Sequence, residues 1–174
     1  MGDVRDFLIG QWGAEVCSGY EADDGIGIAA KDDSIICSID KDVKQIPGEH
    51  YNFVREEFMV VDEDTASFNF WLSMLVGDTT DNVGGVPGIG PKKGYRHLSA
   101  FDPGQYFDCV RGLYTSGEEF LLNYRLLRVL RSEEEDQDLM EWINENCLSE
   151  SEGEEPTEIS SGQDLIQISE PDSQ

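Results

Sequence analysis

The chain alternates short apolar runs with polar, glycine-rich stretches, and the period of its apolar positions changes from helical to strand-like and back. Val4, Phe7, Leu8, Trp12 and Val16 recur at a roughly helical period and predict a short helix with one buried face, leading into a loop at Ser18 and Gly19. Ser34 to Ile39 is apolar and rich in β-branched residues, the pattern of a strand buried on both faces of a parallel sheet. Tyr51 to Val54 and Phe58 to Val61, separated by Arg55, Glu56 and Glu57, predict a hairpin. Asp62 to Asp64 then supplies caps for a helix from about Thr65, whose Phe68, Trp71, Leu72 and Leu75 stand at i, i+3, i+4 and i+7. Further helices are expected over Pro91 to Leu98 and Pro103 to Leu113. The most regular spans Gly117 to Arg131, with Phe120, Leu121, Tyr124, Leu127 and Leu130 on its apolar face.

From Glu133 the pattern changes. Glu133 to Asp136 is expected to open a short acidic helix through Leu139, Trp142 and Ile143, and beyond Leu148 the residues Glu, Ser, Pro, Gly and Gln dominate. That composition buries too little apolar surface to order a backbone, so residues 148–174 are expected to be a disordered acidic tail. The chain has 174 residues, enough for one domain of ordinary size. Its formal charge is −25, from 37 acids and 12 bases. Residues 1–132 hold 22 acids and all 12 bases, a net of −10, while 15 acids without a base follow. Much of the imbalance therefore belongs to the tail and says little about whether the folded part binds nucleic acid. Beside a DNA site, such a tail would compete with phosphate for the basic residues, and deleting Ser149 to Gln174 would then tighten DNA binding at low salt. Cys17, Cys37, Cys109 and Cys147 lie far apart, with no C-x-x-C pair, which points away from a zinc site or a disulfide framework and towards reduced thiols in a cytosolic protein. No window is apolar enough to span a bilayer, and nothing suggests a membrane partner.

Asp78 to Gly94 carries two opposite chemistries. Asp78 and Asp81 put two carboxylates three residues apart where an apolar helix ends, a spacing that aims both at one hard cation. Val86-Pro87-Gly88-Ile89-Gly90 reads as a tight turn whose glycines let backbone N–H groups approach an anion. Pro91 then opens a helix with Lys92 and Lys93 in its first turn and Arg96 in its second. A P-loop is excluded because Pro91 stands where its lysine must be, and the dinucleotide fingerprint because no strand-like run leads into Gly88 and Gly90. A helix–hairpin–helix remains, beside the plainer reading of a glycine-rich connection with solvated lysines.

Two more acidic clusters precede it: Glu21, Asp23 and Asp24 at a helix start, and Asp40 and Asp42 just after the predicted strand. Each has an ordinary explanation alone, since helix N-termini favour carboxylates and loops expose them. Together with Asp78 and Asp81 they describe a site too negative to form without divalent cations. Oxygen-only donors favour Mg²⁺ or Mn²⁺ over zinc, and two such ions suit phosphodiester hydrolysis.

The stretches Glu21-Ala-Asp-Asp24, Ser38-Ile-Asp-Lys-Asp42, Gly77-Asp-Thr-Thr-Asp-Asn82 and Gly85 to Gly94 resemble, in order and spacing, the 5′ to 3′ exonuclease and flap endonuclease family, above all the exonucleases of tailed phages. The likeness runs over about residues 4–131 and rests on four motifs in one order, which is far more specific than any of them singly. It implies an α/β fold with a PIN-like central sheet and a helix–three-turn–helix module on duplex DNA, and removal of nucleotides or flaps from 5′ ends with divalent metal. It implies that Glu21, Asp23, Asp24, Asp40 and Asp42 are metal ligands and that Asp78 and Asp81 hold a second ion directly or through water. Gly88, Gly90, Lys92 and Lys93 resemble the turn that grips duplex phosphates, with a K⁺ ion at the turn and no sequence specificity. A phage origin would place the protein in the host cytoplasm.

The resemblance also implies what is missing. Family members carry an aspartate-bearing strand, a second acidic site and a basic arch upstream of the first motif, and only twenty residues precede Glu21 here. The sequence therefore resembles the C-terminal part of the nuclease, with a partial sheet over residues 1–62, the DNA-binding module over 63–131, the acidic helix over 132–147 and the tail beyond. A separately encoded N-terminal half is an expected partner, because a partial sheet exposes apolar edges. The alternative function is a non-catalytic module that binds duplex DNA.

Overall fold

The computed structural model describes residues 2–132, 134, 135 and 141. Most of the acidic helix expected over 132–147, and all of the tail expected over 148–174, lie outside the described residues. In chain order the elements are helix α1 (Gly2–Trp12), helix α2 (Ala22–Ala29), strand β1 (Ile35–Cys37), a 3-10 turn at Asp42–Gln45, strands β2 (Gly48–Asn52) and β3 (Glu57–Val61), and helix α3 (Glu63–Val76). A two-stranded ribbon of β4 (Gly77–Asp78) and β5 (Val83–Gly84) follows, then helix α4 (Pro91–Leu98), a 3-10 turn at Pro103–Gln105, helix α5 (Tyr106–Arg111) and helix α6 (Gly117–Leu127).

The main sheet has the order β1-β2-β3, with β1 parallel to β2 and β2 antiparallel to β3. Registers Ile36↔His50↔Met59 and Ile35↔Glu49↔Val60 place Ile36, His50, Met59 and Val61 on one face and Ile35, Cys37, Tyr51, Phe58 and Val60 on the other. The first face is covered at Ile36, His50 and Val61 but not at Met59, and Ile36, Val43, Ile46 and Val129 form a small core with Ala30 against it. The second is open, with Ile35, Phe58 and Val60 all more than half exposed. The expectation that the first strand is buried on both faces is thus corrected. β1 is a three-residue edge strand that buries Ile36 alone, because nothing in the described chain packs on its far side. The N-terminal helix is likewise present but buries no stripe, since Val4, Phe7, Trp12 and Val16 are all exposed. It stops at Trp12, before Gly13 with φ +65°, so Val16 lies outside it.

The larger core is built around α3. Asp62 caps this helix by accepting the Thr65 N–H at 2.8 Å. Phe70, Trp71, Met74 and Leu75 meet Leu98 of α4, Val110 of α5 and Phe120, Leu121 and Tyr124 of α6. Edge-to-face contacts such as Phe70 on Tyr124, with ring centres 4.8 Å apart, give the aromatic cluster a fixed geometry. The buried Tyr114 hydroxyl is satisfied by donating to Met74 O at 2.5 Å and accepting from Asn123 Nδ2 at 3.1 Å. Helix α6 ends at Leu127 rather than Arg131, because Arg128 is extended and the chain then crosses to the smaller core through Val129. Arg125, Arg128 and Arg131 therefore do not form one helical row. Arg128 lies over the Phe70 ring at 5.1 Å and pairs with Glu135, and Arg131 makes a bidentate pair with Glu63 at 2.8 and 2.9 Å. Among the described residues no helix is long and apolar enough to cross a membrane.

Candidate metal and nucleic-acid site

Local sequence chemistry places each carboxylate. Glu21 is the N-cap of α2 and its N–H donates to Asp24 Oδ2 at 3.3 Å, so this acidic run does serve as a helix start. Asp24 also ties α2 to a distant strand of backbone, its Oδ1 accepting the N–H of Leu130, 106 residues on, at 2.9 Å. Asp40 shapes its own loop, accepting the Asp42 N–H at 3.0 Å while its N–H donates to Ser38 Oγ at 3.0 Å. Asp78 leaves α3 on the ribbon strand β4, only 4% exposed, and its Oδ1 accepts the Thr80 N–H at 2.7 Å. Its Oδ2 accepts from Lys41 Nζ at 2.6 Å. Asp81 is exposed at the ribbon turn.

Six of the seven predicted carboxylates come together. Glu21, Asp23, Asp24, Asp42, Asp78 and Asp81 line one cleft of about 250 Å³, walled on the other side by residues 125–129. Asp40 does not line it. Their charges act on one another. Asp23 pushes the Glu21 carboxyl up, helped by burial and by Asp24 and Asp81. Burial raises Asp23, with Asp24 and Asp40 adding to it, and burial raises Asp42 against the opposing pull of Lys41. Asp78 moves the other way, held low first by the Lys41 hydrogen bond and then by the Thr80 N–H. Among the described residues no group of three or more His, Cys, Asp or Glu side chains is gathered closely enough to hold a metal ion. The donor set nonetheless fits a hard cation by its chemistry, being all oxygen and self-repelling, and at Asp78 an ammonium already takes a cation's place.

The glycine turn adjoins the cleft through β4 and β5. Gly85 lies against the end of α3, where an added Cβ would fall 2.3 Å from the Val76 carbonyl carbon, and Val86 N–H donates to Leu75 O at 2.9 Å. Gly88 has φ +77°, and Lys93 Nζ donates to its carbonyl at 3.1 Å, bracing the turn from the first turn of α4. Gly90 is the N-cap and Pro91 the first residue of α4, and Lys92 and Arg96 are exposed on it. A second groove of about 340 Å³ is lined by Lys41, Asp42, Lys44, Asn69, Leu72, Ser73, Val76, Gly77 and Pro91, and so shares Asp42 with the cleft and Pro91 with the start of α4. Lys41 and Lys44 lie outside the residues that the motifs single out. The signal for Lys41 was its place between Asp40 and Asp42, where a lysine reads as one more solvated loop charge.

The molecule is thus a mixed α/β fold with a carboxylate cleft whose lining includes Asp42, five residues past the end of β1. No protein-family model matches the chain. Among solved structures it resembles the T5 D15 protein, crystallised with metal ions, at a TM-score of 0.54 and 22% sequence identity. The match covers 78% of this chain and 63% of that one, and at this identity the likeness is one of fold.

Proposed function

We propose that the chain is part of a metal-dependent 5′ to 3′ exonuclease or flap endonuclease that hydrolyses DNA phosphodiesters without sequence preference. The observation that carries the reading is the convergence of Glu21, Asp23, Asp24, Asp42, Asp78 and Asp81, distant in sequence, on one cleft beside a glycine turn with exposed Lys92 and Arg96. The fold shared with a protein crystallised with metal ions supports it further. Glu21, Asp23, Asp24 and Asp42 would hold one Mg²⁺ or Mn²⁺ ion, with Asp40 acting from the loop it shapes, and Asp78 and Asp81 a second. Such ions, when bound, supply a more acidic attacking water and a counter-charge for the leaving oxygen.

The chain's own residues do the rest. Backbone N–H groups of the turn, with Lys92, Lys93 and Arg96, bind duplex phosphates as a helix–three-turn–helix module, with K⁺ at the turn, and carry no base information. The groove from Pro91 to Asp42 leads a strand from that grip to the cleft, and Lys44 offers a cation along it. The open sheet face of Ile35, Phe58 and Val60 is where the remaining nuclease residues would pack. The test is Mg²⁺-dependent release of nucleotides from a 5′-labelled duplex, by the chain alone and mixed with an N-terminal nuclease portion. Activity abolished by Asp78→Ala supports the reading, and no hydrolysis in either mixture overturns it.

A second reading, a non-catalytic duplex-binding module, is favoured by one observation: among the described residues the carboxylates are not gathered for a metal, and Lys41 takes up Asp78. It predicts salt-sensitive duplex binding indifferent to Asp40→Ala, with no hydrolysis under any pairing.

A further inference from the structure

We propose that the Lys41 ammonium is the built-in competitor for the cation site at Asp78, so that a divalent ion binds there only by displacing it. This rests on the metal reading above and deepens it. Four observations carry it. Lys41 Nζ lies 2.6 Å from Asp78 Oδ2, a contact shorter than an ordinary ammonium–carboxylate bond. The two ends of the pair differ, for the Asp78 side chain is 5% exposed and the Lys41 side chain 64%. The aspartate is therefore fixed, with its other oxygen on the Thr80 N–H, while the lysine is free to swing into water. Finally, Lys41 leaves the backbone between Asp40 and Asp42 and lines the groove between Asp42 and Pro91 as well as reaching Asp78.

The energetics follow from burial. A carboxylate this enclosed is costly to leave without a counter-ion, so the site holds a cation in either state. Without metal the lysine supplies it, removing one negative charge from the cleft. A divalent ion must therefore bind against the loss of that pair, which lowers its apparent affinity as any competing ligand does. Once displaced, the ammonium stands at the groove, where a strand's phosphate offers a replacement partner. Cation binding and phosphate binding would then support one another through one side chain.

The experiment measures Mn²⁺ binding to the full chain by calorimetry, in wild type, Lys41→Gln and Lys41→Arg. Glutamine keeps a donor for Asp78 but not the charge, and arginine keeps both. The expected result is Mn²⁺ affinity raised by about tenfold in Lys41→Gln and within about twofold of wild type in Lys41→Arg. Thermal melting gives a second readout: Lys41→Gln melts lower than wild type without metal and gains more from Mn²⁺. If wild type binds Mn²⁺ and Lys41→Gln binds it equally or more weakly, the competitor role is overturned while the metal site stands. If both variants bind more tightly, charge is not what competes, and the role is again overturned. Failure of wild type and both variants to bind Mn²⁺ at millimolar concentration overturns the metal reading and the competitor with it.

Discussion

Gln45 holds the backbone on both sides of Arg128: its Nε2 donates to Leu127 O at 2.8 Å, and its Oε1 accepts the Val129 N–H at 3.2 Å. One buried carboxamide thus joins the end of α6 to the 3-10 turn that follows Asp40, across more than eighty residues. It fixes the wall of residues 125–129 opposite the carboxylates.

Gln45→Ala leaves a buried acceptor and a buried donor without partners, and is expected to cost about 2–4 kcal/mol in urea unfolding. Gln45→Glu should be at least as damaging, because a carboxylate cannot donate to Leu127 O. A loss below about 0.5 kcal/mol would show that water readily replaces the clasp.

Asp24 has two roles that substitution separates. Asp24→Asn keeps an oxygen for the Leu130 N–H while removing charge from the cleft and the acceptor of the exposed Glu21 N–H, whereas Asp24→Ala removes all three. The expected outcome is near-native stability for asparagine and a loss of about 1–3 kcal/mol for alanine. Mg²⁺-dependent hydrolysis, where present, is lost in both. Equal activity in Asp24→Asn and wild type would reduce Asp24 to a structural acceptor.

Stability should depend on pH with two opposing parts. Glu21, Asp23 and Asp42 are raised above their ordinary values of 4.5, 3.8 and 3.8, so the fold binds their protons more readily than the unfolded chain does. They weaken the fold near neutrality, and stability rises as pH falls through their folded values. Asp78 is lowered, by Lys41 foremost, and Asp62 by the Thr65 cap. Their contribution is present above the ordinary value and lost as pH falls through the lower folded one. A maximum on the mildly acidic side, with decline below about pH 4, is expected from melting without metal. Asp23→Asn should flatten the rise and Asp78→Asn the final fall.

The helical core was plainly legible, because Phe68, Trp71, Leu72 and Leu75 repeat at a helical period and Pro91 and Leu98 bound α4 where a proline start and an apolar end place them. The end of α6 was not. Leu130 continues the apolar period of α6, but it and Val129 are used by other partners, Asp24 and Gln45, which no local pattern records. The exposed faces of α1 and β1 misled for a related reason: an apolar stripe specifies burial without saying by what. Of the seven acids, six line one cleft, and the helix start, the loop after the strand and the ribbon that carry them are local features of the sequence. That Asp40 shapes its loop instead of lining the cleft, and that Lys41 reaches Asp78, depend on a side chain's direction, which spacing does not encode.

On the proposed reading, the grip on duplex DNA separates into charge and turn geometry. Lys92 and Arg96 are exposed, so replacing either with alanine should leave melting unchanged. If each neutralises one phosphate, each variant lowers the slope of log affinity against log salt by about 1. Lys93 differs, because its ammonium also donates to Gly88 O. Lys93→Ala should reduce the slope and loosen the turn together. Gly88→Ala keeps every charge but puts a side chain at φ +77°, a strain of about 1–2 kcal/mol. It should weaken duplex binding at all salt concentrations with an unchanged slope, because the number of phosphates met stays the same and only the backbone that presents the N–H groups is disturbed. Filter binding to a duplex over a salt series distinguishes the two patterns. Loss of slope in Gly88→Ala, or none in Lys92→Ala and Arg96→Ala, would mean that phosphates are met elsewhere on the molecule.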